Sequence, residues 1–171
     1  PAAAGPAWDR AVELAPYEPP TAHYTDGARL TVAPFAHPGL GWLGKTASYH
    51  WSRVAMRQAR AAGADDALLL RDGRVVESAT ASVAWLEDGR WHTPDDPCAL
   101  AGVTRAVLVA AGVVMTPAVA TLDRLASASA VVLLSALRLA SPVASIAEQR
   151  LPLAIEPAAA LRATLLATHR A

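Results

Sequence analysis

Three residue types are nearly missing from this 171-residue chain: cysteine, phenylalanine and lysine occur once each, at Cys98, Phe35 and Lys45. A single cysteine excludes an intrachain disulfide and a cysteine-based zinc centre, and it makes the cytoplasm the expected compartment. Excess charge is missing as well. Fifteen basic residues balance fifteen acidic ones, with no run of like sign. Nucleic acid and anionic membranes both require a basic footprint, so neither is an expected partner. No apolar run reaches the ~18 residues of a spanning helix, because Asp, Arg or Pro interrupts each candidate. The five histidines (His23, His37, His50, His92, His169) have no metal-ligand spacing, and no metal is expected. No serine sits in a G-x-S-x-G turn and no glycine-rich phosphate loop is present.

What is abundant is Ala, Val and Leu, within a hydrophobic share of 53%. A chain of this length fits one domain and buries roughly 70% of its unfolded surface, so disorder is not expected. Residues 1–28 are rich in proline and read as a partly irregular lead-in; 29–171 read as an α+β domain. Arg29 to Phe35 alternates as a strand that should end at Pro34. Tyr49 to Ala62 reads as a helix capped by Gly63. Asp66–Arg71 and Arg74–Ser78 flank an Asp72-Gly73 turn, and Ala81–Glu87 and Arg90–Thr93 flank Asp88-Gly89, giving two hairpins. A helix from Gly102 to Ala111, a strand at Val113–Thr116 and a short helix at Leu122–Ser127 follow. Strands at Ala130–Ser135 and Pro142–Ile146 and a helix at Glu156–His169 complete an α+β order with mostly antiparallel pairing.

Few residues offer chemistry on local grounds. Lys45 lies among small and apolar neighbours, where desolvation would favour a neutral, nucleophilic amine. A solvated surface lysine is the ordinary alternative. Its solitude weighs against that alternative, because arginine supplies the other fourteen positive charges. Glu77 closes a strand after Val75-Val76, as a site acid or a solvent-facing hairpin residue. Gly102-Val103-Thr104-Arg105 opens a helix, where free amides and a hydroxyl suit either a phosphate or a plain cap.

Taken in order, these segments resemble the class IV aminotransferases, which include branched-chain and D-amino-acid transaminases and aminodeoxychorismate lyase. Lys45-Thr46-Ala47-Ser48-Tyr49 is similar to the family's K-T-x-N-Y. Ala61 to Leu70 is similar to A-x-G-A-D-E-A-L-x-L, and Asp72 to Val83 to D-G-x-V-x-E-G-x-x-S-N-V. Asp88-Gly89 to Thr93-Pro94, then Leu100-Ala101-Gly102-Val103-Thr104-Arg105, resemble D-G-x-x-x-T-P and L-x-G-I-T-R. Ser135-Ala136-Leu137-Arg138 with Ser141-Pro142-Val143 resembles the lyase-type N-S-L-x-x-x-x-P-V. The resemblance covers about residues 29–150, with Ser48, Ser78, Ser82 and Ser135 standing where the family has Asn, Gly, Asn and Asn.

That resemblance implies the fold of the family's C-terminal cofactor-binding domain and pyridoxal 5'-phosphate as cofactor. Lys45 would hold it as a Schiff base and move protons at the substrate α-carbon. Glu77 would pair with the pyridine nitrogen and Tyr49 would serve the phenolic oxygen. Gly102, Val103, Thr104, Ser135 and Ala136 would hold the phosphate, and Arg138 would meet a substrate carboxylate. The resemblance also implies an N-terminal domain of roughly one hundred residues, of which no convincing copy is expected in the residues before Lys45. The implied activity is the lyase reaction, releasing pyruvate from aminodeoxychorismate to give 4-aminobenzoate in folate synthesis. A transaminase acting on branched-chain or D-amino acids and a truncated non-catalytic homologue are the alternatives, and a homodimer is the implied assembly.

Overall fold

The stretch Ala130-Val131-Val132-Leu133-Leu134 is apolar at every position, which suits a strand only if both faces of its sheet are covered. The computed structural model, which describes residues 14–39 and 49–168, shows why. Val131 and Leu133 point into one core with Val83, Trp85 and Leu125, while Val132 and Leu134 point into another with Leu108, Leu161 and Leu165. All of these side chains are buried.

The described elements run α1 (Ala22–Asp26), β1 (Ala28–Ala36), α2 (His50–Ala61), β2 (Asp66–Arg71), β3 (Arg74–Ser78), β4 (Ser82–Glu87) and β5 (Arg90–Pro94). Then come α3 (Val103–Ala110), β6 (Met115–Ala118), α4 (Leu122–Ser127), β7 (Ala130–Ser135), β8 (Leu139–Ile146), β9 (Gln149–Arg150) and α5 (Ile155–Thr168). The strands form one sheet in the order β3-β2-β1-β8-β7-β4-β5-β6, with β9 on β8. Five of the eight strand pairings are antiparallel, so the sheet is mostly antiparallel as expected, but it is mixed. Strand β1 runs parallel to both neighbours, β2 and β8, and β5 runs parallel to β6.

Both Asp-Gly turns form as the sequence requires. Asp72 and Gly73 have φ of 50° and 73°, and Asp88 and Gly89 have 50° and 72°. This left-handed pair suits the twist of the flanking strands. Strand β1 corrects one expectation, since it continues through Pro34 to Ala36. The ladder with β2 shifts register between Val32 and Ala36, so the missing Pro34 amide falls where the pairing is interrupted. Two short elements, α1 and β9, had no pattern long enough to announce them, and α1 lies inside the stretch read as a lead-in.

Helix α2 covers β1 and β2 through Ala55 and Ala59, packed with Ala33, Ala67 and Leu69. Among the described residues no helix is long and apolar enough to cross a membrane.

Candidate active site

Four segments converge at one end of the sheet: the end of β3, the start of β4, the approach to α3 and the turn between β7 and β8. Pairing brings them there, because Ser82 of β4 lies opposite Leu134 of β7 and Ser135 opposite Leu139.

Glu77 is held rather than solvent-facing. Its side chain is 12% exposed. Oε1 lies 3.2 Å from His37 Nε2, and Oε2 accepts from the Leu100 backbone N–H at 3.1 Å. Leu100 is two residues ahead of Gly102, the N-cap of α3, so the carboxylate and the helix start are tied to one short connection. Glycine leaves room there, since a Cβ on Gly102 would sit 2.6 Å from Ser82 Oγ. No side chain caps this helix, which leaves its first-turn amides for another partner. Thr104 is buried, whereas Val103 is exposed.

Next to Glu77 lies a polar network built on two buried residues, Asp66 and Ser78. Asp66 is fully buried, and its Oδ2 accepts from Ser78 Oγ at 3.1 Å and Thr80 Oγ1 at 2.5 Å. Ser78 Oγ also accepts the Ala81 N–H at 2.9 Å, so the serine standing where the family has glycine closes the β3–β4 turn and seats Asp66. Arg138 Nη2 donates to Thr80 Oγ1 at 2.9 Å, and Nη1 lies 3.4 Å from Asp66 Oδ2. Ser135 Oγ accepts the Arg138 N–H at 3.3 Å, shaping the turn that exposes Ala136.

A second ion pair braces the loop before α3. Arg71 donates through Nη2 to both oxygens of Asp96, at 2.9 and 3.1 Å, and the Cys98 N–H donates to Asp96 Oδ1 at 2.8 Å. Burial pushes the Asp96 carboxyl up, but the Cys98 amide and Arg71 outweigh it and hold the group below its ordinary value.

The structure therefore brings Glu77, Gly102, Val103, Thr104, Ser135, Ala136 and Arg138 to one region. Tyr49 is the N-cap of α2, its ring stacked 6.5 Å from Trp51, which meets the His37 ring edge-on at 5.3 Å. Lys45 lies outside the described residues. Sequence reasoning missed His37, Asp66, Thr80 and the Leu100 amide. Asp66 carried a signal, an acid opening the apolar run Ala67-Leu68-Leu69-Leu70; His37 carried none once histidines were weighed only as metal ligands.

A family profile described as amino-transferase class IV matches residues 2–146. Among solved structures, a T.th. branched-chain amino acid aminotransferase, complexed with N-(5'-phosphopyridoxyl)-L-glutamate, is 30% identical, with a TM-score of 0.75 over 84% of this chain and 52% of its own. A fold IV-transaminase of Curtobacterium pusillum is also 30% identical, with a TM-score of 0.72 over 84% of this chain and 52% of its own. A candidate 4-amino-4-deoxychorismate lyase of Legionella pneumophila is 24% identical, with a TM-score of 0.72 over 94% of this chain and 59% of its own, a likeness of fold. The chain thus spans little more than half the length of these structures. No curated protein sequence matches it.

Proposed function

The chain belongs to the class IV amino-transferase family, and from that premise we propose that it binds pyridoxal 5'-phosphate and acts with it on the α-carbon of an amino-acid-type substrate. The cofactor, when bound, supplies an electron sink for charge that develops at that carbon. One observation carries the reading: a held carboxylate, Glu77, and an uncapped helix start at Gly102 are joined through the Leu100 amide. The donor set fits the group. A carboxylate suits a protonated ring nitrogen, and helix-start amides with the buried Thr104 suit a phosphate.

Lys45 is the proposed covalent anchor and the carrier of the α-carbon proton. Tyr49 is the proposed partner of the ring hydroxyl, and Ser135 and Ala136 the second wall of the phosphate site. Arg138 is the proposed contact for a substrate carboxylate, which would share its guanidinium with Asp66.

Two reactions within this class each have a specific observation behind them. The Ser135–Val143 segment favours the lyase, with 4-aminobenzoate and pyruvate as products. The 30% identity to two transaminases favours amino-group exchange with a 2-oxo acid. We take the lyase as the first reading, in a cytoplasmic homodimer. Assaying the chain with pyridoxal phosphate in both reactions tests it. Formation of 4-aminobenzoate supports the lyase; turnover with amino acid and 2-oxoglutarate alone overturns it; turnover in neither identifies a non-catalytic homologue.

A further inference from the structure

His37 has no role in the reading above, yet its side chain is 1% exposed and both ring nitrogens are engaged. The Gly39 backbone N–H points at Nδ1 from 3.1 Å. A backbone amide can only donate, so Nδ1 accepts and carries no proton. The ring proton then sits on Nε2, which faces Glu77 Oε1 at 3.2 Å. Turning the ring over would set carbon atoms against both partners. Two further contacts hold the residue: its backbone N–H donates to Leu70 O at 2.7 Å, and Trp51 meets the ring edge-on.

We infer that His37, as the neutral Nε2–H tautomer set by Gly39, is a positioning residue that fixes the plane of the Glu77 carboxylate. His37 and the Leu100 amide each take one carboxylate oxygen, so neither oxygen can rotate away. A lone pair of that carboxylate is thereby held in a constant direction, toward the cofactor nitrogen if the proposed function holds. The tautomer and the contact with Glu77 stand apart from that reading. The chain from Gly39 amide to imidazole to carboxylate also links the strand end before Lys45 to the acid that serves the cofactor.

Two measurements test this. In the protein without cofactor, nitrogen-detected NMR of the histidine rings should show His37 protonated at Nε2 only. A proton on Nδ1 overturns the inference, whatever the cofactor result. Pyridoxal phosphate titration followed by visible absorbance then reads the positioning. His37→Leu should raise Kd by ~10-fold, the scale of one hydrogen bond to a charged group, and should shift the absorbance maximum. His37→Gln, which restores a donor, should recover both. Equal loss in the two variants reduces His37 to packing and overturns the role. Should His37→Leu not fold, Glu77→Gln reads the contact from the other side. A displaced His37 Nε2 resonance supports it and an unmoved one refutes it. If the native chain does not bind pyridoxal phosphate, the proposed function falls while the NMR result still decides the tautomer.

Discussion

At the scale of single residues, the site rests on close fits that a small substitution disturbs. Gly102→Ala sets a methyl 2.6 Å from Ser82 Oγ, so the hydroxyl or the helix start must move. We expect a loss of about 1 kcal/mol from overpacking and weaker pyridoxal phosphate binding. Because the clash is with the hydroxyl, Ser82→Ala in the same chain should restore most of both; denaturant titration and absorbance titration check this. Glu77, Gly102, Thr104 and Arg138 could be singled out in the sequence as candidates because each sits in a short pattern of its own. Asp66 offered only its place before an apolar run and Thr80 offered nothing, because what joins them is a hairpin register that sets Leu68 opposite Ser78. His37 depends on the Gly39 amide and the Glu77 carboxylate, forty positions away, which no local pattern contains.

At the scale of elements, strands bounded by Asp-Gly turns were the most legible, because those turns announce a hairpin and its handedness, although an irregularity between Leu69 and Leu70 then shifts the β2–β3 register. Strand β1 was read short because proline ordinarily ends a strand, and only the shifted ladder with β2 shows how Pro34 is accommodated. The parallel pairings of β1 were not legible, since alternation within a strand says nothing about its neighbours. Strand β7 lies between the two cores, so Leu133→Ala should cost about 2–5 kcal/mol, read as a lower denaturation midpoint. Helix α4 is capped by Thr121, whose Oγ1 accepts the Arg124 N–H at 3.2 Å. Thr121→Ala should cost about 1 kcal/mol, read as a lower denaturation midpoint.

At the scale of the whole molecule, two ion pairs tie distant segments and make stability depend on pH. Glu87 is held below its ordinary value by hydrogen bonding from Arg124, and Asp96 by the Cys98 amide and Arg71 against the opposing effect of burial. Depressed carboxylates stabilise the fold above their unfolded values and lose that contribution as pH falls through the folded ones. Stability should therefore hold at neutral pH and fall from about pH 4 downward. Arg71→Met should be destabilised most at neutral pH, with its deficit against the native chain shrinking as Asp96 protonates; thermal melts across pH check the sign. The proposed role of Lys45 as covalent anchor is open to a direct test. The chain should be incubated with pyridoxal phosphate, reduced with borohydride and digested for mass spectrometry. Because Lys45 is the only lysine, a phosphopyridoxyl adduct is expected on the peptide containing it. An unlabelled Lys45, or a label confined to the terminal amine, would overturn the role proposed for this lysine.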